Sequence, residues 1–557
     1  MTVRTSNRRI RLLLALFVLV FAGTLARAVW LQGVQAGTLE RLASRQHRET
    51  IEIPAGRGTI FDRKGEPLAI GEQATTVYAD PRQIQDPRRV AIAAARAFGL
   101  DANELYGQLA DQKRHFVYVQ RKADPTKAAT LEQHELKGLG FYPEESRTYP
   151  QRDVAAHVLG FAGIDNKGLE GLERSLDGVL AGRPGSETIV KDPLGRVIDV
   201  IGTRPEQQGT DVFLTLDHRI QAQAERVLRD TVRSARAKAG TAIVLDPHTG
   251  AVLAMATAPS FDLNRSAKTS ADRRRNRAVT DTYEPGSTFK LVTVSAALSE
   301  RLVAPSTAFI LPASIRVADR IINEHEPRAT QRMTVAQILS QSSNVGTITL
   351  AQLLGQTRLI DWIGRFGFGK PTAIDSPGES NGILPSYWSG STIGNVPIGQ
   401  GIAVTPIQMA AAYAALANGG VLHQPYLVDR IGGKRPGRAK SRRVVSEVVS
   451  AQVMTMLRDV VSAEGGTGAA AAIPGYTVAG KTGTAAKPES GGYSTSRYVA
   501  SFVGVVPAKD PRLVVLVSID EPKTAIWGGV VAAPAFSKIA QYGLQELEVA
   551  PDALPPR

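Results

Sequence analysis

Thr282-Tyr283-Glu284-Pro285-Gly286-Ser287-Thr288-Phe289-Lys290, with the apolar run Leu291 to Leu298 behind it, is the stretch on which the architecture turns. Pro285 and Gly286 interrupt regular structure, so the spacing predicts a helix over Ser287–Leu298 with Ser287 at its N-terminus. Upstream, Asp211–Leu216 reads as a strand and Asp217 as the cap of an amphipathic helix His218–Val232. Thr241–Asp246 and Ala251–Ala256 read as a strand pair around the turn Pro247-His248-Thr249-Gly250. Downstream, a mostly helical middle includes Val335–Leu339 and Pro406–Leu416. Strand patterns then return at Tyr476–Gly480, Tyr498–Val505 and Leu513–Ile519, before a closing helix Pro534–Leu544 and a loose tail Val549–Arg557. Strands, then helices, then strands imply an antiparallel sheet sandwiched by helices, an α+β fold. No internal repeat is present.

The same stretch carries chemistry. Lys290 lies three residues after Ser287, on the same helical face and within reach of its hydroxyl. A helix N-terminus favours a developing anion there. A serine hydroxyl is a weak nucleophile until a base takes its proton, and lysine serves as that base only where desolvation or a second cation destabilises its ammonium. Two further motifs supply neighbours. Ser342-Ser343-Asn344 opens a turn after a helix and offers a hydroxyl relay and an amide for a substrate carbonyl. Lys481-Thr482-Gly483-Thr484 follows the strand Tyr476–Gly480: Lys481 is the second cation, Thr482 and Thr484 can grip a carboxylate, and Gly483 lets substrate approach the backbone. A bare Ser-x-x-Lys arises about twice by chance in a chain this long at average residue usage. The three motifs in this order, each at a fitting local structure, are specific to acyl-serine enzymes.

The N-terminal region sets the compartment. Arg4, Arg8, Arg9 and Arg11 precede an apolar stretch from Leu12 to Leu31, interrupted by Arg27 near its far end. That is long enough to span a bilayer, which takes roughly 20 residues, and the basic flank keeps the N-terminus cytoplasmic. Ala26-Arg27-Ala28 also has the form of a signal-peptidase site, so a retained anchor and a cleaved leader both fit, and both export the rest of the chain. Gln32–Glu49 reads as a short helical, charged stalk. Residues 50–204 alternate strand-like runs, turns and helical patches, such as Thr50–Ile53, Thr59–Asp62 and Val90–Phe98. The linker composition of Gly202–Gly209 marks a boundary. The expected organisation is therefore 1–31 tail and transmembrane anchor, 32–208 stalk and elongated mainly-β/α pedestal, 209–547 catalytic domain, and 548–557 tail.

At 557 residues, several domains are expected. The absence of cysteine excludes disulfides, thiolate metal sites and a cysteine nucleophile. Eight histidines occur, none at metal-ligand spacing, so neither metal nor cofactor is expected. The net charge of +14 is spread along the chain without a nucleic-acid-reading motif. The run Arg273-Arg274-Arg275-Asn276-Arg277, on an exported chain, points to ion pairing rather than nucleic acid. Gly465-Gly466-Thr467-Gly468 lacks the lysine of a phosphate loop and reads as a connector, as does Ala469–Ala472.

Further segments extend the pattern: Arg57-Gly58-Thr59-Ile60-Phe61-Asp62-Arg63, Tyr78-Ala79-Asp80-Pro81, Arg147-Thr148-Tyr149-Pro150 and Gly168-Leu169-Glu170-Gly171-Leu172-Glu173 in the first half, with Arg275-Asn276-Arg277-Ala278, Gly399-Gln400-Gly401, Thr405-Pro406-Ile407-Gln408 and Gly528-Gly529-Val530-Val531-Ala532-Ala533-Pro534 in the second. With the three motifs, the sequence resembles the class B penicillin-binding proteins, and among them the division-specific septal transpeptidases of Gram-negative bacteria. Glu284 before Pro285, and the Ala-Asp-Pro string, favour the division branch over the elongation branch. The resemblance implies a serine-type D-Ala-D-Ala transpeptidase/carboxypeptidase. Ser287 is implied as nucleophile, Lys290 as base, Ser342 and Asn344 as relay and orienting pair, and Lys481, Thr482 and Thr484 as carboxylate grip. It further implies an oxyanion hole from the N–H groups of Ser287 and Thr484, peptidoglycan stem peptides as substrate and β-lactams as acylating mimics. A SEDS-type membrane glycosyltransferase and other division proteins are implied as partners at the inner membrane, with the bulk of the chain in the periplasm. Where the family often has Asn-Pro-Asn, this chain has Phe261-Asp262-Leu263-Asn264, an altered loop. The Pro488–Ser496 loop has no assigned role. A β-lactamase would need a further glutamate, and a β-lactam sensor several spans and a signalling domain. A scaffold role could coexist with catalysis.

Overall fold

Three helices of the first half begin at aspartates. Asp86, Asp101 and Asp124 each accept hydrogen bonds from the amides that open helices Pro87–Phe98, Ala102–Leu109 and Pro125–Glu132, satisfying donors that a helix start leaves free. Asp217 does the same for His218–Ser234, at the position expected from sequence. The computed structural model describes residues 3–35, 37, 48–191, 197–437, 440–462 and 466–553. Most of the stalk expected over 32–49 lies outside the described residues.

Two compact sets of residues emerge. The first is Met1–Gly56 with Gly182–Gln208. Here helix Val3–Val29 continues through a π-turn, Trp30–Val34, and Asn7–Val34 is long and apolar enough to cross a membrane. Its large side chains, Phe17 and Leu19 among them, are exposed. The remainder is an antiparallel sheet in which Gly185–Lys191 pairs with Arg48–Ile53 on one side and Val197–Arg204 on the other. Residues 202–204, expected as linker, are therefore strand. Their turn-like composition is overridden by the backbone partners that Ser186, Glu187 and Thr188 provide.

The second set is Arg57–Ala181 with Gly209–Arg557, so the structure draws the division differently from a single cut at 208. Ile60–Phe61 pairs in parallel with Val212 and Phe213, and the 57–181 stretch is held together internally by a buried ion cluster. The fully buried Glu173 carboxylate accepts from Arg57 at 2.6 Å, from Arg147 at 2.6 Å and from the Tyr149 hydroxyl at 3.2 Å. Arg57 also reaches Asp177 at 2.7 Å. Asn264, in the departing 261–264 segment, exchanges two hydrogen bonds with the Tyr149 backbone. Arg274 pairs with Glu170 at 2.8 Å and Arg277 with Asp281 at 2.7 Å.

The heart of this set is a five-stranded antiparallel sheet. Its order is Val252–Ala258, Ala239–Leu245, Leu513–Asp520, Gly492–Val506 and Ala479–Glu489. Ala239–Leu245 and Leu513–Asp520 are buried on both faces, hence their mostly apolar runs. His218–Ser234 and Ala533–Glu546 cover one face through Leu228, Phe502, Phe536 and Ile539. The other face receives Pro406–Ala417, every residue of which is buried, and beside it Lys290–Ser299 and Glu447–Ser462. Each large apolar side chain buried here contributes about 1.5–3 kcal/mol.

Several expectations are corrected. Within the helical middle lie two small hairpins, Ala308–Leu311 with Gln331–Thr334 and Ser314–Val317 with Arg320–Asn323; strands of four residues are too short for periodicity to reveal. Ser287 sits not in the α-helix but in a 3-10 turn, Gly286–Phe289, that leads into Lys290–Ser299. The strand expected at Tyr476–Gly480 is Ala479–Glu489, so the Lys481–Thr484 motif lies within the strand rather than after it. Pro488–Ser496 is the tip of the hairpin joining that strand to Gly492–Val506. The tail is not loose as far as Ala553. Asp552 accepts from the Thr477 amide at 2.7 Å and from its hydroxyl, and the Ala553 amide donates to the Gly475 carbonyl at 3.1 Å.

Candidate active site

The three motifs converge from three different elements. Gly286, at φ +53°, turns the chain so that its amide donates to the Gly399 carbonyl at 3.0 Å. A side chain at Gly399 would strike Gly286, with a Cβ 2.1 Å from its carbonyl oxygen. Thr288 caps this turn, its hydroxyl donating to the Pro285 carbonyl at 2.7 Å, and Tyr413 of the buried helix donates to the Thr288 carbonyl at 3.0 Å. Ser287 is thereby held half-exposed at the wall of a cleft of about 750 Å³ that Ser342, Thr482 and Thr484 also line.

Lys290 is fully buried. Its ammonium nitrogen donates to the Ser342 carbonyl at 2.5 Å and to the Asn344 Oδ1 at 2.7 Å, and lies 3.3 Å from the Ser342 Oγ. Among the described residues it makes no hydrogen bond to Ser287: its partners are Ser342 and Asn344, not the hydroxyl that helical spacing pointed to. Ser342 adopts φ +61°, a strained region for a non-glycine residue, which turns both its oxygens toward the lysine. Burial drives the Lys290 pKa well below its ordinary value, and the nearby Lys481 charge lowers it further, against a smaller opposing pull from Glu324.

Lys481 is likewise fully buried, and burial lowers its pKa to about 7. Its polar contacts are long, 3.5 Å to the carbonyl and hydroxyl of Thr482. The strand that carries it is the edge of the sheet, so among the described residues its outer backbone groups face no neighbouring strand. Gly483 has a different part from the one expected. A Cβ there would come within 3.0 Å of both the Pro285 carbonyl and the Thr288 methyl, and 2.4 Å from the Ser501 hydroxyl. The missing side chain makes room for the Ser501 hydroxyl and for the Ser287 turn.

Sequence reasoning missed several residues at this cleft. Thr467, from the stretch read as a connector, bonds the Thr482 hydroxyl at 3.0 Å. The His325 and Trp527 rings meet edge-on at 4.6 Å on the cleft wall. Glu324 holds the Ser343 hydroxyl and the Asn344 backbone amide. None carries a local motif, since each arrives from a segment remote in sequence. Another cavity of about 770 Å³, bordered by Arg365, Lys370 and Arg442, contains none of the motif residues. Among the described residues no three acidic or histidine side chains gather to hold a metal.

A buried amine pair beside a half-exposed hydroxyl, on the edge of a helix-sandwiched antiparallel sheet, defines a site suited to acyl transfer on a peptide. Residues 240–541 match the penicillin binding protein transpeptidase domain, and residues 52–214 the penicillin-binding protein dimerisation domain. The peptidoglycan D,D-transpeptidase FtsI of Escherichia coli K12 is 34% identical over 98% of this chain and 93% of its own length. Stage V sporulation protein D of Bacillus subtilis is 34% identical over 98% of this chain and 87% of its own. Among solved structures, penicillin binding protein 3 of Mycobacterium tuberculosis in complex with aztreonam superposes with a TM-score of 0.70 at 30% identity, covering 91% of this chain and all of that one. Penicillin binding protein 2X of Streptococcus thermophilus gives 0.76 at 26% identity, over 89% and 80%. The chain belongs to the penicillin-binding protein transpeptidase family. The dimerisation domain ahead of the transpeptidase domain makes it a class B member.

Proposed function

We propose that this protein is a septal peptidoglycan D,D-transpeptidase that works through an acyl ester on Ser287. The observation that carries the reading is Lys290, whose burial beside a second buried amine keeps it neutral enough to accept a proton at the wall of the cleft that Ser287 also lines. The Ser287 Oγ attacks the carbonyl of the penultimate D-Ala of a stem peptide. Its proton passes to Lys290, and the 3.3 Å contact between Lys290 and the Ser342 Oγ supports a route through Ser342. The peptide C–N bond then breaks, and the terminal D-Ala leaves as an amine that takes the proton. An amine from a neighbouring stem attacks the ester, forms the crosslink and returns a proton to Ser287.

The remaining roles follow from position. Asn344 holds Lys290 and orients the stem. Lys481, with Thr482 and Thr484, receives the terminal carboxylate, whose charge favours the Lys481 ammonium. The stem lies along the free edge of Ala479–Glu489 as an added strand. The N–H groups of Ser287 and Thr484 stabilise the oxyanion, each donor contributing about 3–4 kcal/mol. Penicillins mimic the dipeptide and acylate Ser287. The FtsI-type relatives support the division role. The apolar N-terminal helix supports anchoring in the inner membrane, N-terminus inside, alongside a SEDS-type glycosyltransferase. We assign residues 32–208 to stalk and pedestal and 209–547 to the transpeptidase domain.

The test is intact-protein mass after mixing with a penicillin, wild type beside Ser287→Ala. A persistent one-to-one adduct in the wild type alone is expected. Rapid return to free protein with hydrolysed drug would instead mark a β-lactamase, and no adduct on folded wild-type protein would refute the assignment.

A further inference from the structure

The turn that carries Ser342 and Asn344 is held by a side chain outside all three motifs. Glu324 ends the second small hairpin, nineteen residues before Ser343, and its side chain is only 5% exposed. One carboxylate oxygen accepts from the Ser343 hydroxyl at 2.5 Å and from the Val345 amide at 3.3 Å, and the other accepts from the Asn344 amide at 2.7 Å. These are the opening amides of helix Asn344–Leu354, where an anion is favoured. The neighbouring Asn323 carbonyl takes the Asn344 amide nitrogen at 3.0 Å, which leaves the Asn344 Oδ1 aimed at Lys290. Arg328 secures the carboxylate from behind at 2.5 Å while donating to the Leu311 carbonyl at 3.1 Å, so the clamp is bolted to the first hairpin.

We infer that Glu324, backed by Arg328, is a positioning residue for the proposed reaction: it fixes the Ser342-Ser343-Asn344 turn so that Ser342 and Asn344 present their oxygens to Lys290. The inference rests on the acyl-serine reading and deepens it. A strained Ser342 backbone persists only where its surroundings over-determine it, and this carboxylate bonds the two residues that follow. Glu324 also has an electrostatic cost. It is a negative charge facing Lys290 from the hairpin, as Lys481 is a positive one from the sheet, and it favours the ammonium form that cannot act as base. Arg328 and the helix amides offset that charge. His325, beside Glu324, is itself held below its ordinary pKa, first by burial and also by the Lys290 and Lys481 charges, against opposing pulls from Glu326 and Glu324.

The pair is therefore separable by experiment. The second-order rate of acylation by a penicillin is measured against pH on the full chain in detergent, for wild type, Glu324→Gln and Arg328→Met, with a thermal melt of each. Glu324→Gln should slow acylation roughly 10- to 100-fold, the scale on which misplaced groups act, and should move the acid limb of the profile to lower pH. Arg328→Met should move that limb to higher pH, because the Glu324 charge then acts on Lys290 unopposed. A merely structural role would lower melting temperature and rate with no opposite displacement of the two limbs, which would overturn the inference. A Glu324→Gln profile superimposable on a normally acylated wild type would overturn the clamp alone. A wild type that is never acylated would overturn the acyl-serine reading and the clamp with it.

Discussion

Lys481 is buried at a cost, and replacing it with methionine should make the protein more stable and less active. The amine is fully buried and, among the described residues, hydrogen-bonds only at 3.5 Å, the outer limit of a hydrogen bond. Burial carries its pKa from an ordinary 10.5 to about 7. Holding such an amine costs on the order of 4 kcal/mol at pH 7, at about 1.4 kcal/mol for each tenfold change. Methionine fills similar volume without charge, so Lys481→Met should recover part of this, a melting-temperature rise of a few degrees. The sign with pH is definite. Between about 7 and 10.5 the unfolded lysine binds more protons than the folded one, so wild-type stability rises with pH across that window. The advantage of the variant should therefore be largest near pH 7 or below and shrink by pH 9.5. Paired thermal melts of the full chain at the two pH values measure it. Penicillin acylation should fall by about 100-fold or more, as expected for a lost electrostatic contact to the reacting group. An equal gain at both pH values, or a variant less stable at pH 7, would mean that the buried ammonium is compensated and the reasoning fails.

Other outcomes are expected. Glu173→Ala strips the shared carboxylate from Arg57 and Arg147 and should destabilise the fold by about 3–5 kcal/mol, read as a lowered melting temperature. Gly483→Ala pushes a methyl against the Ser501 hydroxyl, the Pro285 carbonyl and Thr288. It should slow acylation by about tenfold or more through displacement of the Ser287 turn, with little loss of ellipticity. Asp552→Ala frees the Thr477 amide and hydroxyl and should cost about 1–3 kcal/mol, checked by thermal melting. In wild type, the acid limb of the acylation–pH profile should lie well below 10.5, because Lys290 sheds its proton early; a limb near an ordinary lysine value would contradict its role as base.

Much of the site was legible because its chemistry is local. Ser287 and Lys290 share one turn, Ser342 and Asn344 another, and Lys481 to Thr484 one strand. Each motif sits beside a structure-breaking or capping signal that sequence periodicity exposes. The capped helix at Asp217 and the strand pair after it were legible for the same reason: their periods and breakers are short-range. Tertiary structure alone decided how the motifs meet. Lys290 turns to Ser342 and Asn344 because the fold brings that turn to its buried ammonium. Gly483 is glycine because the Ser287 turn packs on it. Glu324, Thr467 and Trp527 enter the cleft from remote segments, and no local pattern encodes a contact whose partners are set by packing. The pinned tail and the strand at residues 202–204 belong to the same class. Composition predicts a backbone's own preferences, but a long-range hydrogen-bond partner can override them, and only the folded chain supplies that partner.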